Sequence, residues 1–307
     1  MKPYLWLRAP LQLALRPTTW NSWTMVGKHH ADIMVQKRQR LAASPEFFYR
    51  SLPESLDAQH ELRERLAAHL AADHSVHFNL RGGILHCASQ AASHDLGDSS
   101  REPLEQISQF AEEDFMLLQM IGGKLLITAA ANAYSSSGRL VKSVGKEVPW
   151  AHIPVPGVQE QLGARIDKIL ASIHTDFPSE RFNWQLTPIG DVFFPLNPHA
   201  ENSKALDKAL TLIEGRPERC GELLWIRAER QTLVRLPRTG AIAFGIHTFS
   251  DPLASIEHER CCLEAIRNLL VNFSADRLRY LEMDRIKHPV IDWIDSALMR
   301  ASRAQRS

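Results

Sequence analysis

The chain has 307 residues, of which 44% are hydrophobic and 23% charged. That balance excludes a disordered, fibrous or collagen-like chain and is enough to bury a sizeable core. Thirty-six Lys+Arg stand against thirty-five Asp+Glu, a formal net charge of +1, so no global field marks the chain as a partner of nucleic acid or of an anionic membrane.

Along the chain, the opening MKPYLWLRAPLQLALRP carries a basic residue and several leucines, but Arg8 and Pro10 break the apolar run. It reads as mature protein, not as a signal peptide. Leu52, Leu56, Leu62, Leu66 and Leu70 recur at near-helical spacing with polar residues between them, which predicts an amphipathic helix. Ser75 to Cys87 reads as a short extended stretch broken at Gly82-Gly83, and Ser89 to Arg101 as a surface loop rich in Ser, Asp, His and Gly. LEQISQFAEED looks helical. The apolar runs FMLLQM and LLITAAANAY, separated by Ile121-Gly122-Gly123-Lys124, predict a β-hairpin. After Pro156-Gly157, the residues Val158, Leu162, Ile166, Ile169 and Ile173 fall about one per turn, predicting a second helix.

RFNWQLT, ELLWIRAERQTLVRL and GAIAFGIHTF are rich in β-branched and aromatic residues, with Leu236-Pro237-Arg238-Thr239-Gly240 as the turn between the last two. They read as antiparallel strands. From Pro252 helical periodicity returns in IEHERCCLEAIRNLLVNF, DRLRYLEM and PVIDWIDSALMR. With no alternation of strand and helix, the expected class is α+β: one mainly antiparallel sheet wrapped by helices, with a helical N-terminal lead-in and a C-terminal helical cover. No internal repeat or low-complexity linker divides the chain, so one domain spanning 1–307 is expected. No stretch approaches the length of a membrane span. Cys87, Cys220, Cys261 and Cys262 show no C-x-x-C spacing, which fits a reducing, cytoplasmic setting.

Phosphate-loop, dinucleotide, zinc-protease and nucleophile-elbow signatures are absent. His29, His30, His60, His69, His74 and His77 lack partners at metal-ligand spacing and read as surface histidines. Three places could carry chemistry. In Trp150-Ala151-His152-Ile153-Pro154-Val155-Pro156-Gly157 two prolines stiffen the backbone after a histidine, as an axial ligand or base requires; a proline-rich connector with an incidental histidine has the same spacing. In the strand at 227–234, alternation sends Arg227, Glu229, Gln231 and Leu233 to one face and Ala228, Arg230, Thr232 and Val234 to the other. Guanidinium groups on a rigid sheet suit carboxylate recognition, although an edge strand with solvated charges reads alike. Glu112-Glu113-Asp114 would aim a carboxylate into a pocket to attract an ammonium or move a proton, or form a solvated helix end.

EEDFMLL, K-x-x-G-K-E-V-P-W-A-H-I-P-V-P-G, Asn183-Trp184 and RAERQTLVRLPRTGAIAFGIHTF, in this order, resemble the haem-dependent oxidative N-demethylase family. The resemblance runs from LALRPTTW near residue 13 to the C-terminal helices. It implies a PAS-like fold and a haem b whose iron activates O2 to oxidise the carbon next to an amine nitrogen. Electrons would come from NADPH through the FMN and 2Fe-2S cluster of a separate reductase, since this sequence shows neither a nucleotide-binding glycine loop nor a four-cysteine cluster set. His152 would be the axial ligand. Arg227, Arg230 and Arg235, with Lys142 and Lys146, would bind haem propionates. Glu113 and Asp114 would hold the substrate ammonium or relay protons. Two stretches depart from the family pattern. Asn132 to Gly138 replaces a Cys-Phe-Pro-Ser-like stretch, and His247-Thr248-Phe249 replaces an Arg-Thr-Tyr-like ending. The amine therefore need not be the family's usual small one, and His247 is a rival ligand. A haem-based sensor without turnover, and a haem-free binding protein, are the alternatives of other classes.

Overall fold

A computed structural model describes residues 15–134, 139–148, 170–193, 195 and 198–304. Its strands are β1 (Arg16–Pro17), β2 (Tyr49–Ser51), β3 (Phe78–Arg81), β4 (Ile84–Cys87), β5 (Ala92–Asp95), β6 (Asp114–Ile121), β7 (Lys124–Ala131), β8 (Ser179–Thr187), β9 (Trp225–Arg235) and β10 (Ile242–Pro252). Seven form one antiparallel sheet in the order β1-β8-β9-β10-β6-β7-β2, and β3-β4-β5 form a second. The chain is thus α+β, as its element order predicts.

The β6–β7 hairpin turns at Gly122 and Gly123, whose φ values are +58° and +78°. Two consecutive left-handed residues give the turn a twist that matches the strands, and glycine adopts them without a Cβ penalty. The leucine-rich helix forms as Leu56–Asp73 and buries Ala58, Leu62, Leu66 and Leu70. From the same helix Glu61 accepts hydrogen bonds from the backbone N–H groups of Arg238 at 2.7 Å and Thr239 at 2.8 Å. That carboxylate fixes the turn joining β9 to β10.

Period-two alternation divides the large sheet into two faces. On the first, which we term the core face, Trp184, Ile226 and Ala228 pack against Cys262, Ile266 and Leu270 of the Arg260–Asn272 helix and Val290 and Ile294 of the Lys287–Ala304 helix. Farther along that face Phe115, Leu117, Val234 and Ala243 meet Leu62, Leu66 and Leu70. The second, termed the site face, carries Met116, Leu118, Ile127, Leu233 and Ile242 at one end, packed with Val148, Leu170 and Ile173. Its other end is polar. The expected helix over Val158–His174 lies almost wholly outside the described residues.

Three expectations change. The loop predicted from Ser89 contains strand β5, paired with β4 from Ile84↔Asp95 to Cys87↔Ala92. The helix predicted for LEQISQFAEED covers only Pro103–Ile107; beyond it the Gln109 and Phe110 N–H groups bond three residues back, to the Gln106 and Ile107 carbonyls, and the chain leaves the α-ladder in tight turns. Lys37 Nζ then binds the carbonyl oxygens of Ala111, Glu112 and Glu113 at 3.0, 3.1 and 2.9 Å as β6 begins. The helices His30–Ala43 and Pro198–Gly215 have no counterpart in the periodicity reading. The first buries His30 and Lys37 along with Met34 and Leu41, so its inward face does not read as apolar.

Candidate functional site

Glu112, Glu113 and Asp114 form no solvated helix end: their exposures are 1, 2 and 1%. Three buried carboxylates are tolerable only if distant segments supply positive charge and hydrogen-bond donors. Lys37, fully buried, places Nζ 3.0 Å from Asp114 Oδ1. Glu112 Oε1 lies 2.9 Å from His30 Nδ1 and accepts Gly27 N–H at 2.7 Å. Glu113 Oε1 accepts Met25 N–H at 2.7 Å and lies 3.3 Å from His247 Nδ1. Burial pushes the Glu113 carboxyl upward, but His247 and the Met25 amide outweigh it and hold it below its ordinary value.

His30 and His69 are buried, which corrects the surface reading of these residues. Burial opposes charge on His30, yet Cys87 Sγ at 3.7 Å and the Glu112 carboxylate raise its pKa to about 9. The same imidazole lowers the Cys87 thiol against the upward push of burial. His69 stays in the opposite regime: burial lowers it despite Asp73 at 2.9 Å.

On the site face the register aligns Arg181 (β8), Gln231 (β9), Ile246 (β10) and Asp114 (β6) in one row across four adjacent strands. Arg181 Nε donates to Gln231 Oε1 at 2.7 Å, and Gln231 Nε2 to Glu229 Oε2 at 3.0 Å. Along β10 the same face presents Thr248 and Ser250, opposite Glu229 and Arg227. Their hydroxyls are buried, and among the described residues neither has a hydrogen-bond partner. Asp114 Oδ2 accepts Tyr134 N–H at 2.8 Å, and Tyr134 carbonyl oxygen accepts Arg227 Nη2 at 3.2 Å. One residue thereby ties the acidic run to a buried arginine. Burial and the three carboxylates push the Tyr134 phenol far above its ordinary value, so it stays protonated.

The residues singled out in the sequence divide accordingly. Asp114 and Arg227 meet at Tyr134 on the site face. Glu113 lies beside His247. Arg230 is on the core face, with Nε 2.7 Å from Glu180 Oε2 and further bonds to the Ser22 and Trp23 carbonyls. Arg235 holds the chain just after residue 169, donating to the Ile173 carbonyl at 3.1 Å and the Leu170 carbonyl at 2.8 Å. Lys142 is exposed, 5.7 Å from the Phe47 ring centroid, and Lys146 is exposed. His152 lies outside the described residues. The segment that carries it, 149–169, is flanked by Val148 and Leu170, both packed in the apolar end of the site face.

His247 sits on the core face with Nδ1 toward Glu113 and Nε2 3.8 Å from Glu112 Oε2. Both of its ring nitrogens face carboxylates, on the face of the sheet opposite Arg227 and Asp114. Reading the sequence missed Lys37, His30 and Arg181. His30 reads there as a surface histidine, and Arg181 leaves a trace only as one of the alternating polar residues Arg181, Asn183 and Gln185 in β8. Compared with known families, the chain matches the model described as haem-dependent oxidative N-demethylase, alpha subunit-like, over residues 14–291.

Proposed function

The chain belongs to the haem-dependent oxidative N-demethylase, alpha subunit-like family, and from that premise we propose that it is the haem-bearing subunit of a monooxygenase acting on an amine. The match over residues 14–291 carries this reading. The site face fits the group in kind. It offers hydroxyls at Thr248 and Ser250 that are buried and without partners among the described residues, and arginines at Arg181 and Arg227. Val148 and Leu170, which bracket in sequence the stretch containing His152, pack at its apolar end. Haem b, when bound, supplies activation of O2 for hydroxylation next to nitrogen, so that an N-methyl amine, O2, two electrons and two protons give water and a carbinolamine that releases formaldehyde.

The chain's own residues would bind and balance charge. His152, stiffened by Pro154 and Pro156, is the ligand we favour. Three carboxylates at 112–114 face Lys37 and the His30 imidazolium. Arg40 and Arg227 also act on Asp114, so the run as a whole has no surplus negative charge; Asp114, the carboxylate of the run that stands on the site face, is the one placed to hold a substrate ammonium. Glu113, held ionised beside His247 on the core face, would take part only as a relay of protons through that imidazole. Electrons would arrive from NADPH through a separate reductase bearing FMN and a 2Fe-2S cluster. We read the large antiparallel sheet with its helices as PAS-like, residues 1–307 as one haem-binding domain, and the setting as cytoplasmic. Among the described residues no helix is long and apolar enough to cross a membrane.

The test is the absorption spectrum of protein expressed with a haem precursor, before and after dithionite and then carbon monoxide, followed by formaldehyde release from N-methyl amines with a surrogate reductase. A stoichiometric Soret band that shifts at both steps is expected. Its absence, even after haem reconstitution, overturns the reading. For the ligand, His152→Ala is expected to lose haem while retaining a cooperative fold; an unchanged spectrum would sink that assignment.

A further inference from the structure

The guanidinium groups of the RAERQTLVR strand are largely occupied within the protein. Arg227 serves the Tyr134 and Val192 carbonyls, Arg230 serves Glu180 and the Ser22 and Trp23 carbonyls, and Arg235 serves the Ile173, Leu170 and Gly240 carbonyls. Each holds two chain segments together, and a ligand would have to displace those bonds. Arg181 differs. Its Nε is used by Gln231 Oε1 at 2.7 Å, while among the described residues no acceptor reaches Nη1 or Nη2.

Arg181 is nonetheless not a freely solvated surface arginine. Burial pushes its guanidinium below the ordinary range, opposed by the charge of Glu229. The side chain is half-buried, and its Nη1–Nη2 edge has no protein acceptor among the described residues, so an anion can reach it without breaking any internal bond. Two parallel N–H groups in one plane match a carboxylate in geometry as well as charge. The neighbours point the same way. Gln231 fixes the Nε side and so orients the open edge. The unpartnered hydroxyls of Thr248 and Ser250 lie on the same face. Arg181 begins the row that ends at Asp114, three strand spacings or about 14 Å away. The site face therefore has a cation with an open edge at one side and Asp114, bound by Lys37 and the Tyr134 N–H, at the other.

We propose that Arg181 is the carboxylate-binding residue of this site, receiving a carboxylate on its Nη1–Nη2 edge. Resting on the haem reading above, the carboxylate is a haem propionate or the carboxylate of an amino-acid-like amine substrate.

The experiment titrates apoprotein, as the parent chain and as Arg181→Met and Arg181→Lys, with haemin and with haemin dimethyl ester, following the Soret band, with far-ultraviolet circular dichroism as the control for folding. For propionate binding, the parent prefers haemin to the diester by about 10- to 100-fold, the scale of a charged hydrogen-bonded pair. Arg181→Met loses that preference with diester affinity unchanged, and Arg181→Lys recovers only part of it. A second arm loads each protein with haem and measures Soret perturbation by N,N-dimethylglycine and by trimethylamine. A substrate carboxylate is indicated if dimethylglycine acts at lower concentration and Arg181→Met erases the difference alone. If neither difference depends on Arg181 in proteins that do bind haemin, the proposal is overturned while the haem reading stands. If the parent binds neither porphyrin, the haem reading falls and takes the proposal with it.

Discussion

Lys37→Met removes the one lysine ammonium that, among the described residues, contacts the acidic run, while keeping the length and apolar stem of the side chain. Nζ makes four contacts between 2.9 and 3.1 Å, three to carbonyl oxygens and one to Asp114 Oδ1. Asp114 would remain buried with its charge opposed only by more distant groups, a situation that costs about 3–5 kcal/mol. The three carbonyls also lose their shared donor, each worth about 1 kcal/mol net if nothing replaces it. Relaxation and entering water recover part of this, so we expect a loss of about 4 kcal/mol from a total on the order of 5–15 kcal/mol. At roughly 2–4 °C per kcal/mol, Tm falls by about 8–16 °C. The assay is thermal and urea denaturation of parent and variant in the same haem state. Adding Asp114→Asn removes the stranded charge and should restore about half of the loss. A single variant within about 3 °C of the parent, or a double variant no more stable than the single, would refute the argument.

Other outcomes follow from the same structure. His30 has its pKa raised to about 9, so its contribution is complete below pH 6.5 and is lost as pH rises through 9, roughly 3 kcal/mol at most. His94 is lowered to about 4 by burial and by the Arg38 and His30 charges, so its contribution is present above pH 6.5 and declines as pH falls toward 4. The urea midpoint should therefore peak near pH 6.5. His30→Gln should flatten the alkaline limb, and an alkaline limb unchanged in that variant would count against the assignment. Gly221 lies under the Trp293 indole, inside the volume a Cβ would need. Gly221→Ala should cost about 1–3 kcal/mol by overpacking, read as a lower urea midpoint at unchanged m-value; an unaltered midpoint would mean the indole moves aside freely. Glu61→Gln keeps the shape but replaces an oxygen that accepts from the turn at Arg238 and Thr239 with a donor. A loss of about 1–3 kcal/mol is expected, with faster hydrogen exchange at those two amides as the local check.

Much of the fold is written in local patterns. The Leu56–Asp73 helix follows from leucines repeating with the helical turn, and the β6–β7 hairpin from two glycines between apolar runs. The faces of β9 follow from alternation, and the family from motifs that survive as strings of residues. These features need only neighbours in sequence, which is why they can be read there. What the sequence left open are the charges inside. Lys37 and His30 look like ordinary polar residues until the fold sets them against Asp114 and Glu112, and Arg181 looks less interesting than the arginines of β9 until each guanidinium is seen with its partners. A buried charge is stable only through donors and counter-ions from distant segments. Patterns among neighbouring residues therefore carry most of the elements, the sheet faces and the family, whereas contacts between distant segments settle which ionisable groups are spent holding the protein together and which remain open to a ligand.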